Sequence, residues 1–456
     1  MVFVWCGLCL FIHPVLRTPL KRGILDVMVL GGWLCYTNCV PLSFHVCGNM
    51  IINYIYVSFI FSSVFMGSTV ILSAARTPVG AFMGSLSGFS APQLGAVAIK
   101  AAIERAGIAA SDVSEVIMGN VLTAGVGQAP ARQAALGAGV PASVPCMTIN
   151  KVCGSGLKSV MLADQAIRCG DAEIVVAGGQ ESMSNGPYLL AKARTGYRYG
   201  NGEIIDSMQY DGLTDAYAKV AMGDFAEQCA VDCAISRDMQ DDYTIESYTR
   251  ALAAQKNGWF DAEIAPVVVK DKKGDIVVAA DEEPGKVRFD KIRELKPVFK
   301  KDGTITAANA SSIDDGAAAL VLASEAKAAE LGVKPMARIV AQVSFAHAPQ
   351  DFNTAPIHGI EKVLAKAGLS VGDIDLFEVN EAFSVTALAA KNELGIPHEK
   401  LNVHGGAIAI GHPIGASGAR VLTTLLFALQ RTGGKYGLAT LCIGGGEASA
   451  MVVEML

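Results

Sequence analysis

Charge is scarce in this chain. Lys, Arg, Asp and Glu make up 18% of its 456 residues, against about a quarter in an ordinary soluble protein. The formal net charge is −6, which excludes a basic protein that coats nucleic acid. Eleven Cys in a chain this long exclude a small disulfide scaffold. Hydrophobic residues at 51% exclude a disordered chain. HExxH, Walker A and spaced dinucleotide-binding motifs are all missing from the sequence, so nothing local points to a zinc protease or a nucleotide cofactor.

The sharpest absence is local. From Val27 to Ala75, 49 consecutive residues contain no Lys, Arg, Asp or Glu. Residues 1–65 hold four charges (Arg17, Lys21, Arg22 and Asp26), five of the eleven Cys and two of the three Trp. The other 391 residues hold 76 charges with a net of 34 − 42 = −8. The chain therefore divides into a hydrophobic extension and a slightly acidic, Gly/Ala-rich globular part.

Three readings of the extension stay open: a presequence, a membrane segment, or upstream sequence wrongly joined to the gene. Arg17, Lys21 and Arg22 without a nearby acid suit a mitochondrial presequence, but Val2 to Phe11 is almost solidly apolar. Ile51 to Phe65 is apolar enough for a membrane, yet Asn53, Ser58, Ser62 and Ser63 interrupt it. A secretory signal would lack its basic start. Cys6-x2-Cys9 and Cys35-x3-Cys39 have metal-like spacing, but their flanks are apolar and no paired His follows. Met66 is the natural start of the functional protein, because strand-like Thr69 to Ser73 begins just after it.

What is present beyond residue 65 alternates in period. Thr69–Ser73, Val116–Gly119 and Glu173–Ala177 read as buried strands, with Ala74–Gly80 as a loop and the last strand ending in Gly178-Gly179. Leu94–Ala106, ended by Gly107, and Leu157–Ile167 read as helices. The second half repeats the order. Ala337–Ala341, Leu376–Val379 and Tyr436–Cys442 are strands; Gly359–Ala367, ended by Gly368, and Ala416–Leu429 are helices. This predicts an α/β fold with a weak internal duplication. Met183 to about Ala310 has a different texture, rich in Tyr, Asp and Arg, with a helix over Asp241–Lys256 and a turn at Asp271–Gly274. It reads as an insertion covering a site.

Four segments carry chemistry-bearing residues. Cys153 lies in Asn150-Lys-Val-Cys-Gly-Ser-Gly156, just before a predicted helix, where free amides and the macrodipole favour a thiolate. His412 lies in the Gly-dense run Gly411-His-Pro-Ile-Gly-Ala-Ser-Gly418. Cys442 precedes Ile443-Gly-Gly-Gly446, and Asn380 starts Asn-Glu-Ala-Phe383 at a strand end. Taken singly, each has a bland reading: an inert buried Cys, a structural His, a packed Cys, a turn or helix cap.

Together the four segments resemble the catalytic blocks of thiolases. Ala74-Ala-Arg-Thr-Pro78, Gly127-Gln-Ala-Pro-Ala-Arg-Gln133 and Gly178-Gly-Gln-Glu-Ser-Met-Ser184 add to the resemblance, with Gln180 where the family usually has Met. It covers about residues 68–456. The resemblance implies two pseudo-symmetric α/β halves in αβαβα layers, residues 66–335 and 336–456, with a loop domain at about 183–310. It also implies ping-pong acyl transfer between coenzyme A thioesters, with no obligatory cofactor. Cys153 would carry the acetyl group, His412 would activate it, and Cys442 would move the α-proton of a second acetyl-CoA. Asn380 would hold a water that stabilises an enolate or thioester oxygen beside His412. The amides of Cys153 and Gly444 would form a second oxyanion hole.

Asp211–Asp215, Thr306–Ser311 and Asp351-Phe352 are similar to the potassium-activated mitochondrial group, which interconverts acetyl-CoA with acetoacetyl-CoA plus CoA. That likeness implies a potassium site at Tyr248, Ala307, Ala308, Ala310 and Ile408, where the group usually has Val at the last position. It implies CoA contacts at Tyr248, Lys286, Val287, Arg288, Lys291 and Ser311. Arg288 departs from an acid in that group, and Ala221 replaces a His. Phe352 hints that 2-methylacetoacetyl-CoA is accepted. The expected assembly is a homotetramer in mitochondria, alternatively the cytoplasm, with no nucleic acid and a membrane only if residues 1–65 are retained. The competing expectations are a longer-chain 3-ketoacyl-CoA thiolase and a non-catalytic acyl-CoA-binding relative.

Overall fold

The computed structural model describes residues 68–456. The readings of the Cys pairs, presequence and membrane segment in residues 1–65 lie outside the described residues. Among the described residues, no helix is long and apolar enough to cross a membrane.

Nine strands and a two-residue strand at Gly80–Ala81 form one mixed sheet. In chain order they are β1 Thr69–Arg76, β2 Glu115–Gly119, β3 Cys146–Ile149, β4 Ile174–Ser182, β5 Asp314–Ser324, β6 Ala337–Ala346, β7 Leu376–Val379, β8 Tyr436–Ile443 and β9 Glu447–Met455. Across the sheet the order is β7-β8-β9-β6-β1-β5-β4-β2-β3. The sequence-level duplication is visible here. Reading outward from the centre, β1-β5-β4-β2 mirrors β6-β9-β8-β7, with the outer pairs β2·β4 and β7·β8 parallel and the inner pairs antiparallel. Within the sheet the halves are paired at two positions, Val70 with Arg338 and Ile71 with Ala337.

The main helices are α1 Ala91–Ala106, α2 Pro130–Gly137, α3 Ser155–Cys169, α4 Met222–Asp232, α5 Arg237–Lys256, α6 Ala355–Ala367, α7 Ser384–Leu394 and α8 Ser417–Thr432. Two of them, α3 and α8, form the middle layer. Leu157, Val160, Leu422, Leu425 and Leu429 share one core with Ile71, Val175, Leu320, Ala439 and Met451 from both halves of the sheet. Separate cores lie under α1 and α2 on the first half and under α6 and α7 on the second. Those layers are helix, sheet, helices, sheet, helix, as expected. Each fully buried Leu in the middle layer is worth about 1.5–3 kcal/mol.

The local signals behave as chemistry requires. Gln93 Oε1 accepts from the Ser90 N–H at the start of α1, and Pro92 stands in its first turn. Gly107 and Gly368 end α1 and α6 in left-handed geometry, φ 67 and 68°, which costs a glycine nothing. Four expectations need correction. The loop expected at Ala74–Gly80 is strand as far as Arg76, because Arg76 pairs with Ala318 of β5. Its guanidinium is fully buried against Glu263 (2.5 Å) and Asp281 (2.6 Å). The strand expected to end at Gly178-Gly179 does not stop there: β4 continues to Ser182, paired to Asp315. Those glycines serve close packing, since a Cβ on Gly179 would lie 2.0 Å from the Gly415 carbonyl. Strands β5 and β9 were not among the predicted elements. Finally, α5 starts four residues earlier, where Ser236 Oγ accepts from the Met239 N–H at 3.2 Å.

Between β4 and β5, residues 183–313 hold α4, α5 and two short hairpins. The predicted turn closes through Gly274 N–H to the Asp271 carbonyl at 3.1 Å, between Val267–Val269 and Ile276–Val278.

Candidate active site

Three of the four singled-out residues sit at or just beyond carboxyl ends of strands, where open α/β sheets place ligands. Cys153 follows β3 and precedes α3; Asn380 follows β7; Cys442 is the penultimate residue of β8; His412 precedes α8. Glycine brings the two middle-layer helices together at their N-terminal ends. A Cβ on Gly418 would lie 2.3 Å from the Leu157 amide nitrogen, and one on Gly156 2.6 Å from that of Ala419. A Cβ on Gly154 would strike Ile443 Cδ1 at 2.3 Å, so the Cys153 turn rests on the residue after Cys442.

The Cys153 turn is strained. Val152 has φ +46°, which costs a β-branched residue of order 1–3 kcal/mol. Local hydrogen bonds hold it there. Asn150 Oδ1 accepts from the Val152 N–H at 2.9 Å, and Ser155 Oγ accepts from the Lys151 N–H at 2.8 Å while donating to the Val152 carbonyl at 2.7 Å. Lys151 Nζ pairs with Glu447 beyond the glycine turn, tying the two catalytic segments.

The expected thiolate at Cys153 is not what the geometry favours. Burial pushes the thiol up to about 11, while the Gly444 N–H, directed at the sulfur, opposes the shift. Desolvation here outweighs the helix terminus. Cys442 is fully buried, and its thiol is raised by burial and then by the charge Cys153 would carry, against a weaker pull from Thr386.

His412 is buried, and desolvation, with the Arg420 charge behind it, lowers it to about 3. The imidazole is therefore neutral, and its neighbours choose the tautomer. Ser417 Oγ donates its one proton to the Pro413 carbonyl at 2.8 Å, so at 2.6 Å it accepts from His412 Nδ1–H. The lone pair lies on Nε2, which has no hydrogen-bond partner. The ring is thus a neutral imidazole with a free acceptor nitrogen. Asn380 is buried and is not a helix cap, since Phe383 caps α7. Its Oδ1 accepts from Arg420 at 3.3 Å, and its Nδ2 lies 3.5 Å from His412 Nδ1.

Buried carboxylates position these turns, and sequence reasoning singled out none of them. Asp314 Oδ2 accepts the His412 N–H at 2.8 Å. Glu181 accepts from the amides of Gly415 (2.8 Å), Val121 (3.0 Å) and Leu122 (3.2 Å) and from Asn120 Nδ2 (2.7 Å). Glu381 accepts from the Ile408 amide (3.1 Å), Tyr243 (2.9 Å), Ser247 (2.8 Å) and Asn402 (2.9 Å). Their partners are mostly backbone amides, which carry no sequence signal; Glu181 and Glu381 at least fall inside quoted motifs. Phe352 and Phe383 share an apolar core with Cys442, their rings 6.4 Å apart.

The expected CoA positions form a second group. Lys286, Arg288 and Lys291 are exposed cations around the short helices Pro284–Lys286 and Phe289–Ile292. Arg237 of α5 donates to the Ile292 carbonyl at 3.2 Å, which docks this segment on α5. Val287 is half-buried there. Tyr248 projects from α5, raised by burial and by nearby Glu283 and Asp314. Ser311 Oγ donates to the Ala382 carbonyl at 3.0 Å. Tyr248, Ala310 and Ile408 pack at one core. Among the described residues, the carbonyls of Ala307, Ala308, Ala310 and Ile408 accept no backbone hydrogen bond. Unpaired carbonyl oxygens suit a hard monovalent cation, so these residues fit one.

Comparison with known proteins identifies the family. The thiolase N-terminal domain family matches residues 69–326, and the thiolase C-terminal domain family matches residues 333–455. Acetyl-CoA acetyltransferase of Cupriavidus necator is 53% identical over 391 residues, 85% of this chain and 100% of that protein. Acetyl-CoA acetyltransferase 2 of Arabidopsis thaliana is 52% identical, over 85% of this chain and 96% of its own. The mitochondrial acetyl-CoA acetyltransferase of Rattus norvegicus is 47% identical over 447 residues, 98% of this chain and 99% of its own.

Proposed function

The chain belongs to the thiolase family, and from that premise we infer an acyltransferase that reversibly joins two acetyl-CoA into acetoacetyl-CoA plus CoA. Relatives about half identical and aligned over nearly their whole length are acetyl-CoA acetyltransferases. The longer-chain alternative is not favoured by them. The observation that carries the reading is the neutral His412 with its Nε2 lone pair unpartnered in the pocket.

A neutral thiol and a neutral imidazole define the resting state, so the proton must move as the bond forms. His412 Nε2 takes the Cys153 proton while the sulfur attacks the thioester carbonyl, the C–S bond to CoA breaks, and CoA leaves as a thiolate that takes the Cys442 proton. The amides of Cys153 and Gly444 receive the oxyanion, in an apolar setting where such donors count most. Cys442 then removes the α-proton of the second acetyl-CoA. His412 and a water oriented by Asn380 stabilise the enolate, which attacks acetyl-Cys153; the acyl C–S bond breaks and the Cys153 sulfur leaves, recovering the proton held by His412. Cys442 begins as a high-pKa thiol, so a proton must leave it before it serves as a base. The CoA thiolate expelled in the first half-reaction takes that proton and leaves as the free thiol.

Lys286, Arg288 and Lys291 take the nucleotide phosphates, with Tyr248, Val287 and Ser311 along the CoA. Potassium, held by the carbonyls of Ala307, Ala308, Ala310 and Ile408 with the Tyr248 hydroxyl, would supply a fixed positive charge that orders this loop. A mitochondrial setting is supported by the rat relative, whose alignment runs into the N-terminal extension. A homotetramer remains the expected assembly. Thiolysis rates of the purified chain on acetoacetyl-CoA and 3-ketopalmitoyl-CoA test the reading. Preference for the short substrate, with Cys153→Ala reducing turnover by about 1,000-fold or more, is the expected result. A preference for the long chain, or an active Cys153→Ala, overturns it.

A further inference from the structure

Outside the catalytic pocket, α4 carries two cysteines one helical turn apart. Cys229 Sγ and Cys233 Sγ lie 3.9 Å from each other. They differ in access. Cys229 is buried in the core that also holds Cys442, Phe352 and Phe383, whereas Cys233 is half-buried. Neither takes part in the chemistry derived above.

The chain around them is unusual. Cys233 is the C-cap of α4, and Ala234 follows in left-handed geometry at φ +52°. The Ile235 N–H reaches back to the Ala230 carbonyl at 2.8 Å, which completes a helix-ending motif whose left-handed position normally belongs to glycine. A residue with a Cβ there stores strain, so the last turn of α4 resists rearrangement weakly. That matters because Cβ atoms one turn apart on a helix are about 5–6 Å apart, and a disulfide needs about 3.5–4.5 Å. Closing the gap requires Cys233 to swing inward, and a strained cap lets it.

We propose that Cys229 and Cys233 form a peroxide-sensitive dithiol, in which Cys233 is oxidised first and Cys229 resolves it into an intrahelical disulfide. The Cys233 thiolate attacks one oxygen of hydrogen peroxide, the O–O bond breaks, and Cys233 sulfenic acid and hydroxide form. Cys229 then attacks the Cys233 sulfur, an S–S bond forms, and water leaves. In total, two thiols and one peroxide give one disulfide and two waters. An accessible attacking thiol beside a sheltered resolving thiol is the arrangement redox-responsive pairs use. The Cys229 S–H donating to Cys233 draws the Cys233 thiol below its ordinary value, while Cys153 and Cys442 are both raised. A bond forced on a helix end is strained and therefore readily reduced.

The test uses the full chain. Trypsin cuts after Lys219 and Arg237, so one peptide, Val220 to Arg237, contains both cysteines and no other. Protein is exposed to graded hydrogen peroxide, alkylated under denaturing conditions and mapped. Exposed Cys169 serves as the internal reference. The expected result is a Val220–Arg237 peptide two hydrogens lighter, unalkylated, appearing before Cys169 is consumed and reversed by dithiothreitol. Cys229→Ser should leave a sulfenic acid on Cys233 that dimedone traps, and Cys233→Ser should leave Cys229 reduced. The proposal fails if both cysteines still alkylate once Cys169 is oxidised. It also fails if Cys233→Ser leaves Cys229 as reactive as in the unaltered chain, or if the disulfide joins two chains.

Discussion

Replacing Ser417 with Ala tests the tautomer assignment on which the base role of His412 depends. Ser417 is fully buried, and its hydroxyl is the sole side-chain acceptor placed within 3 Å of His412 Nδ1. Its removal leaves the Pro413 carbonyl satisfied, because the amides of Ala416 and Ser417 both donate to it at 2.9 Å. Folding stability should therefore change by less than about 1 kcal/mol. The imidazole is affected more. One hydrogen bond of about 0.5–1.5 kcal/mol net holds the Nδ1–H form, and each 1.36 kcal/mol is tenfold in population. Asn380 Nδ2, 3.5 Å away, is then free to donate to Nδ1 and so favours the tautomer with Nε2–H, which cannot accept the Cys153 proton. The expected loss is about three- to tenfold in kcat for acetoacetyl-CoA thiolysis, with little change in KM. Because His412 titrates near 3, the loss should be constant from pH 7 to 9. Steady-state kinetics over that range, with a thermal melt alongside, is the assay. Unchanged kcat would show that Ser417 does not set the tautomer. A loss beyond about 1,000-fold with an intact melt would place Ser417 in the reaction itself.

Two further outcomes follow from burial. With its thiol pushed up to about 11, Cys153 should alkylate with iodoacetamide at a rate that rises about tenfold per pH unit from 7 to 9, since only the thiolate reacts; a plateau near pH 7 would mean a preformed thiolate–imidazolium pair. Gln180 is fully buried in β4 with neither amide atom partnered, wedged under α1 where a Cβ on Gly95 would meet Oε1 at 1.9 Å. An unpaired buried amide costs about 1–3 kcal/mol, so Gln180→Met should raise the melting temperature by about 1–4 °C without changing kcat, and a lower melting temperature would contradict that account.

The features legible in the sequence were the local ones. Gly107 and Gly368 ended helices because a left-handed cap is decided within a few residues. Cys153, His412, Asn380 and Cys442 stood out because each lies in a compact, Gly-rich or strand-end segment. What the sequence hid depends on distant partners. β5 contains Asp314-Asp-Gly-Ala-Ala-Ala-Leu-Val-Leu-Ala-Ser324, whose alanines favour helix locally; it is a strand because β1 and β4 flank it on both edges. The dipole argument for a Cys153 thiolate was local too, and burial opposes it: the turn packs on Ile443, about 290 residues further along.

Those long-range ties also explain why the duplicated halves must act together. The Cys153 turn belongs to the first half, whereas His412, Asn380 and Cys442 belong to the second. The His412 turn is nevertheless held by first-half carboxylates: Asp314 grips the His412 amide and Glu181 the Gly415 amide. In return, Glu447 of the second half pairs with Lys151 beside the nucleophile. Each half thus fixes the other's catalytic turn through contacts between 98 and 296 positions apart. The chain's few charges are placed accordingly. In the pocket the groups meant to react are neutral thiols and a neutral imidazole, and the carboxylates lie behind them, bonded to backbone amides. A site of the proposed kind moves protons between neutral groups and uses buried acids, themselves raised by burial, for positioning, so a general shortage of charge along the chain is compatible with the proposed acyl transfer.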